Sequence, residues 1–162
     1  MPVTAEARLA ELGIELPPPP QLPPGIVVPF EWVRVVAGRC VISGHGALGM
    51  DGVPAPPFGR VPSEVALEEA QTSARLATLA ALSALRRTIG SLDRVQAWVV
   101  VNGFVNADDG YPQTTAVLNP VSDVILDVFG ADIGAHARTA IGVRALPLNL
   151  PVIITAELLV EP

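Results

Sequence analysis

Lysine is absent from the sequence, and all 10 cationic side chains are arginines. Charged residues make up only 16% of the 162 residues, the formal net charge is −6, and the isoelectric point is about 4.8. Nucleic-acid-binding surfaces need clustered cationic side chains to neutralise phosphates, so this charge balance argues against binding to DNA or RNA. The low charge and the 50% apolar content also argue against a disordered chain or a coiled coil.

Cysteine occurs once, at Cys40, which excludes an internal disulfide framework and suits a reducing compartment. Cys40 lies in an apolar run, so we expect a small buried side chain and not a reactive thiol. The N-terminus lacks the cationic start and apolar core of a signal peptide, and the apolar stretches are too short for a membrane span. A soluble, cytoplasmic protein is expected.

The apolar excess is large for a chain of this size, with a mean hydropathy of +0.47. One core is expected for this length, and part of the apolar surface is expected to be buried against other copies of the chain. We divide the chain into an N-terminal arm and proline-rich strap (residues 1–24) and a single α+β domain (residues 25–162).

The arm begins with a short helix over residues 4–13, in which Thr4 is the N-cap and Gly13 the stop. Residues 16–24 contain six prolines, four of them consecutive, which predicts an extended polyproline II segment. This segment is either a ligand for a proline-recognising module or a strap on the surface of its own domain. The second interpretation is favoured.

The remaining pattern predicts the order β-β-α-β-α-β-β, with both helices on one face of a sheet. The other face would then be apolar and uncovered, so association through it is expected. The predicted elements are a hairpin over residues 30–42, a helix capped by Ser63 and stopped by Gly90, a strand over residues 95–105, a helix that begins at Asn119-Pro120 and ends at Gly130, and strands over residues 137–145 and 152–160.

Strong catalytic signatures are missing from the sequence: it has no phosphate-binding loop, dinucleotide fingerprint, nucleophile elbow or Cys-x-x-Cys pair. The two histidines, His45 and His136, lie far apart and are not accompanied by ligands at metal-binding spacing. We therefore expect no metal and no cofactor, and we interpret each histidine as a polar residue near an interface.

Arg138 begins a strand of otherwise small and apolar residues. Its guanidinium is either paired with a structural carboxylate or free to bind the carboxylate of a ligand bidentately, and spacing alone leaves both open. The loop that follows the early strand, Ser43-Gly44-His45, offers a hydroxyl and amides to an anion. That pattern alone is common in turns.

Several segments, taken in order, resemble the Rid family, also called YjgF/YER057c/UK114 or endoribonuclease L-PSP. These are Ser43-Gly44 after the early strand, Asn119 of the second helix, and Arg138-Thr-Ala-Ile-Gly-Val followed by Leu146-Pro147. The stretch over residues 119–147 is similar to a subgroup of slightly longer members. The resemblance covers roughly residues 25–160, and the segment from Arg138 to Pro147 is its most specific part.

The resemblance implies a chorismate-mutase-like fold and a homotrimer in which three sheets form a central barrel with ligand clefts between subunits. It also implies hydrolysis of reactive enamines or imines, such as 2-aminoacrylate, to a 2-keto acid and ammonia. By resemblance, Arg138 holds the substrate carboxylate as the catalytic residue, Ser43 and Gly44 contact the substrate, and Asn119 faces the cleft. We add His45 to the residues that shape this cleft.

Two positions depart from the family pattern. Phe30 stands where the family has a tyrosine, so that the ring is kept and the hydroxyl is lost. Ile153 stands where the family has the glutamate that positions or activates water, and an isoleucine cannot accept a proton. The next carboxylate along that strand belongs to Glu157.

Two main functions follow from these residues. The first is an imine hydrolase with Arg138 as the carboxylate clamp. The second is a trimer that binds small carboxylates or keto acids through Arg138 and catalyses nothing, which Ile153 favours. A third, ribonuclease activity, is disfavoured by the acidic charge balance and the few aromatic residues. Neither nucleic acid nor membrane is an expected partner.

Overall fold

The computed structural model describes residues 3–162, so Met1 and Pro2, with which the predicted arm begins, lie outside the described residues. The described chain is an α+β structure with one mixed sheet and three helices. The helices are α1 (Ala5–Glu11), α2 (Leu67–Ile89) and α3 (Thr114–Ile133); the strands are β1 (Val33–Val36), β2 (Arg39–His45), β3 (Val95–Asn106), β4 (Ala137–Val143) and β5 (Val152–Val160). The α+β class predicted from the sequence is confirmed.

The sheet has the strand order β1-β2-β5-β3-β4. β1 and β2 form an antiparallel hairpin through Ala37-Gly38, whose positive φ angles of 51° and 79° suit a tight turn between twisted strands. β5 is antiparallel to both β2 and β3, whereas β3 and β4 are parallel and joined through α3. The last strand of the chain therefore lies at the centre of the sheet, and β1 and β4 form its edges.

One face of the sheet is covered by α2 and α3, which pack against each other and against the strands. The alternation along β5 shows this directly, because Ile154, Ala156 and Leu158 are buried while the residues between them are partly or fully exposed. Gly103 of β3 allows a close approach of α3, since a Cβ at this position would lie 1.9 Å from Leu118 Cδ1. The core thus lies between the helices and this face.

The opposite face of the sheet is open and carries apolar side chains together with polar ones, among them the Arg39–Glu157 ion pair. Cross-strand register places its residues side by side along all five strands. The exposed fraction reaches 54% at Val36 and 42% at Leu159. The apolar residues of this open face are Val36, Val41, Val100, Phe104, Ile141, Ile153 and Leu159.

The helix α2 begins later than its sequence predicts, so the assignment of Ser63 as its cap is wrong. The N-cap is Ala66, whose backbone N–H donates to the Glu69 carboxylate at 2.9 Å. Ser63 instead belongs to a turn, and its backbone N–H donates to Asp108 Oδ2 at 2.9 Å. A serine followed by glutamates is typical of a helix start. Here the hydrogen bond with Asp108 holds Ser63 in a turn before the helix.

The helix α3 begins earlier than predicted, at Thr114, so Asn119 and Pro120 do not open it but lie inside it. Pro120 has no N–H to give to the carbonyl four residues earlier, that of Ala116. Gln71 of α2 supplies the missing donor, because Gln71 Nε2 donates to the Ala116 carbonyl at 2.9 Å. Gly130 breaks the helical backbone near its end, with φ of 77° and ψ of 171°.

The N-terminal arm forms the predicted short helix, in which Thr4 accepts a hydrogen bond from the Ala7 N–H, and this helix packs on α3. Leu9 of α1 is buried in the common core. The proline-rich segment has neither helix nor strand, and its Pro17 carbonyl accepts a hydrogen bond from Ser83 Oγ of α2 at 2.5 Å. Among residues 3–162, no helix combines the length and the apolar character that a membrane span requires.

Candidate functional site

The first group of predicted site residues lies where β2 leaves regular pairing with β5. The register shifts between Ile42 and His45, so that Ser43 and Gly44 form a bulge. Ser43 Oγ donates to the Glu31 carbonyl at 2.7 Å, and the Ser43 N–H donates to the Trp32 carbonyl at 2.9 Å. The bulge is therefore held by the segment that precedes β1.

His45 lies on the helix-covered side of the sheet and is only 7% exposed. Its ring is 5.3 Å from that of Trp32, and Trp32 is in turn 5.0 Å from Phe30, whose ring is 50% exposed. His45 Nδ1 lies 2.6 Å from the Ser43 carbonyl. Burial lowers the pKa of His45 and the nearby Arg87 lowers it further, whereas the hydrogen bond with the Ser43 carbonyl acts in the opposite direction. These contacts make His45 a neutral support for the bulge.

Ile153 lies on the open face beside Gly44, since a Cβ at Gly44 would be 3.1 Å from Ile153 Cγ2. Its cross-strand neighbour is Phe104, so its surroundings are apolar. Glu157, on the same face, is committed elsewhere: Arg39 Nε and Nη2 donate to its two carboxylate oxygens at 2.5 and 2.9 Å. The hydrogen bond from Arg39 lowers the pKa of Glu157. Glu157, the carboxylate next along the strand after Ile153, is therefore bound by Arg39 of β2.

The second group is centred on Arg138, which lies on the edge strand β4 with its guanidinium against α3. Nη1 donates to the Leu118 carbonyl at 2.9 Å and to Ser122 Oγ at 3.0 Å. Nη2 donates to the Thr115 carbonyl at 3.3 Å and to Asn119 Oδ1 at 3.0 Å. The four acceptors are neutral and use all the terminal N–H groups, so the guanidinium is neither paired with a structural carboxylate nor free in this subunit. The guanidinium is held in one orientation beside the exposed Asn119.

The two groups do not meet within one subunit. Register aligns Ile42 of β2, Ala156 of β5, Val101 of β3 and Arg138 of β4 in one row across the sheet. Three strand spacings separate the ends of this row, which is about 14 Å at 4.8 Å per spacing. The structure therefore brings together Phe30, Ser43, Gly44 and His45, and separately Asn119 and Arg138.

Two residues beside Arg138 were not assigned to the site from sequence. Ser122 lies one helical turn after Asn119, and His136 lies two residues before Arg138 on the strand, so each shares a face with a predicted site residue. Ser122 Oγ is 2.9 Å from His136 Nε2, and His136 Nδ1 is 2.6 Å from the Gly134 carbonyl. The spacing of Ser122 from Asn119, and of His136 from Arg138, was the sequence signal that could have identified these two residues.

A depression of about 450 Å³ lies elsewhere, at the carboxyl ends of the parallel strands β3 and β4. Hydrogen bonds from Ser63 lower the pKa of Asp108 in its wall, so that this carboxylate is already satisfied. The depression contains none of the predicted site residues. Its lining residues are Ala107, Asp108, Asp109, Gly110, Tyr111, Gly142, Val143 and Arg144.

Comparison with known proteins gives relatives that match nearly the whole chain. TCP17 of Trypanosoma cruzi is 33% identical over 150 residues, which is 93% of this chain and 90% of TCP17. The crystal structure of Atu1372, a protein of unknown function from Agrobacterium tumefaciens, has a TM-score of 0.84 and 27% identity, covering 98% of this chain and 93% of Atu1372. No family model matches the chain.

A more distant solved structure has the same fold. YyfA of Yersinia pestis, described as a conserved Rid family protein, has a TM-score of 0.57 and 19% identity, covering 85% of this chain and 92% of YyfA. The chain has a mixed sheet with helices on one face, and its predicted site residues lie near β2 and near β4. This arrangement defines an α+β protein of the YjgF type. The chain therefore belongs to the same family as TCP17 and has the fold of Rid family proteins, as its sequence pattern predicts.

Proposed function

We propose that the protein is a homotrimer that binds small carboxylates in clefts between its subunits and hydrolyses reactive enamines or imines there. The observation that carries this proposal is the division of the predicted site residues between two regions of one sheet, about 14 Å apart by strand spacing. A ligand as small as 2-aminoacrylate cannot span that distance within one subunit. A neighbouring copy that brings its Arg138 edge to the Ser43 bulge would complete the site.

The open apolar face supports association. Such a surface is unfavourable in water, and burial against other copies stabilises it by about 25 cal/mol for each Å² of apolar area removed from solvent. Apolar residues of this face occur on every strand from β1 to β4, so several copies can contribute equivalent surfaces.

In the proposed cleft, Arg138 binds the substrate carboxylate, with Asn119 beside it, and Ser43, Gly44 and Phe30 of the other copy line the opposite wall. In this subunit Arg138 Nη2 donates to Asn119 Oδ1, so the incoming carboxylate displaces Asn119 and accepts that hydrogen bond instead. Water then adds to the imine carbon, and the resulting carbinolamine loses ammonia to leave a 2-keto acid.

Binding without catalysis is the second candidate function. Ile153 favours it, because its apolar side chain lies beside Gly44 where a proton acceptor would be useful. Glu157 cannot readily substitute for the missing acceptor, since both of its oxygens accept hydrogen bonds from Arg39. Imine hydrolysis would then depend on orientation of the substrate and on solvent.

Coupling the protein to a serine dehydratase and following pyruvate release tests the proposed hydrolysis. We expect faster release than in buffer, and loss of that acceleration in Arg138→Ala, with Arg75→Ala of the exposed face of α2 as the matched control. An intact trimer that gives no acceleration contradicts the hydrolase. If keto acids still raise the melting temperature of that trimer, and Arg138→Ala abolishes the effect, the binding function is supported instead.

A further inference from the structure

A serine–histidine pair lies beside Arg138, at the free edge of the sheet. Ser122 Oγ and His136 Nε2 are 2.9 Å apart, which is hydrogen-bond distance. Both side chains are half-buried, between α3 and the start of β4. Neither residue has a role in the proposed imine hydrolysis.

The partners of His136 assign its tautomer. Nδ1 lies 2.6 Å from the Gly134 carbonyl, and a carbonyl oxygen only accepts, so Nδ1 carries the proton. In the neutral imidazole, Nε2 then presents its lone pair to Ser122. The Ser122 hydroxyl therefore donates to Nε2, which is the arrangement in which a histidine withdraws a proton from a serine.

Arg138 completes the environment of the hydroxyl. Its Nη1 donates to Ser122 Oγ at 3.0 Å, so a fixed positive charge faces the oxygen that would become negative when the proton leaves. The guanidinium cannot turn away, because Leu118 and Thr115 carbonyls and Asn119 hold its other terminal N–H groups.

We propose that Ser122 is a nucleophile, activated by His136, for acyl transfer from small activated esters. A nucleophile within hydrogen-bond reach of a base, with the base oriented by a third group, is the general signature of covalent catalysis by serine. The Gly134 carbonyl is that third group. The chemistry shares Arg138 with the hydrolysis proposed above, but it requires neither an imine nor a bound carboxylate, so loss of one activity leaves the other testable.

The reaction has two balanced halves. Ser122 Oγ forms a bond to the ester carbonyl carbon while its proton moves to His136 Nε2. The carbon–oxygen bond to the alcohol then breaks, and Nε2 returns the proton to the leaving alkoxide. In the second half, Nε2 takes a proton from water as the water oxygen attacks the acyl group, and Ser122 is released with the proton from Nε2, leaving a carboxylic acid.

Labelling of the full-length protein with a fluorophosphonate, followed by peptide mass spectrometry, tests this proposal. We expect one adduct, on Ser122, and hydrolysis of p-nitrophenyl acetate above the rate in buffer. In His136→Gln, whose amide can still contact Ser122, labelling and hydrolysis should fall by about 100-fold or more, the usual contribution of a general base. Ser63→Ala, which removes an exposed serine, is the matched control and should label as the native protein does.

The absence of an adduct on Ser122, or equal labelling rates in the native protein and His136→Gln, would overturn the proposal. Ser122→Ala should abolish labelling. If that variant fails to fold because Arg138 loses an acceptor, Ser122→Cys gives a second measurement. We expect its thiol to react with iodoacetamide at neutral pH at least about 10-fold faster than in Ser122→Cys/His136→Gln, since His136 and Arg138 both favour a thiolate. Equal rates would contradict activation by His136.

Discussion

At the scale of single residues, Cys40 illustrates how burial decides chemistry. The side chain is fully buried on the helix-covered face of β2, and loss of hydration raises the pKa of its thiol to about 11. The thiolate, which is the reactive form, is therefore scarce at neutral pH. We expect iodoacetamide to leave Cys40 unmodified in the folded protein and to add once after unfolding in urea. Rapid modification of the folded protein, observed by intact-mass measurement, would contradict this.

His45 gives the protein a defined dependence on pH. Because burial lowers its pKa in the folded state, the unfolded chain binds a proton that the folded chain does not as pH falls below about 6.5. Stability is thus complete above that value and decreases as the pH falls toward the lowered pKa. Urea unfolding midpoints between neutral pH and about pH 5 should decrease in the native protein.

The control for this pH effect is His45→Asn, whose amide can replace the Nδ1 contact with the Ser43 carbonyl but does not titrate. We expect its midpoint to change less over the same range. An equal decrease in both proteins would assign the pH dependence to other groups.

The site residues differ in how far the sequence could locate them. Arg138, Ser43 and Asn119 were proposed as site residues because their motifs resemble those of a known family. The partners of Arg138 were not found, because three of its four contacts go to backbone carbonyls or to Ser122, none of which carries a charge that a pattern would reveal. The separation of the two groups depends on strand order, which local periodicity does not encode.

At the scale of secondary structure, α3 contains a proline that its neighbour compensates. Pro120 leaves the Ala116 carbonyl without its helical donor, and Gln71 supplies one from α2. Gln71→Ala should therefore reduce the free energy of unfolding by about 1 kcal/mol, the net value of a typical hydrogen bond. Chemical denaturation of the single variant measures this loss.

The double variant Gln71→Ala/Pro120→Ala provides the control. The substitution Pro120→Ala would restore a backbone N–H for the Ala116 carbonyl, so the loss caused by Gln71→Ala should shrink in this background. Equal losses in both backgrounds would show that Gln71 acts through packing and not through this carbonyl.

The helix boundaries show why local signals misplace element ends. Asn119-Pro120 has the sequence of a helix start, and Ser63 with its following glutamates has the sequence of a cap. Both signals are genuine local preferences that tertiary contacts override: Gln71 allows the proline to remain inside α3, and Asp108 holds the Ser63 turn. The strands were located more accurately, because alternation between a buried and an open face is a property of their own sequence.

At the scale of the whole molecule, the open face of the sheet is the surface through which we propose that copies associate. If the proposed trimer forms through it, Leu159→Asp should bury an additional carboxylate opposite Arg39, which is already paired with Glu157, and should shift the sedimentation mass from three times 16.9 kDa toward that of the single chain. Leu126→Asp is the matched control, because Leu126 has a similar exposure, 39% against 42%, but lies on α3. Sedimentation equilibrium measures both.

Two outcomes would contradict the proposed interface. If Leu159→Asp remains trimeric, the copies associate through another surface. If the unmodified protein sediments as a single chain, the apolar face remains in water and the two groups of site residues stay apart.

The position of β5 at the centre of the sheet also constrains how the protein is made. Synthesis proceeds from the N-terminus, so β1 with β2, and β3 with β4, leave the ribosome before the strand that joins them. Until Val152–Val160 emerges, β2 and β3 lack the partner between them and present unpaired backbone groups. Completion of the sheet therefore waits for β5, and a nascent chain that stops before Val152 would hold two separate strand pairs.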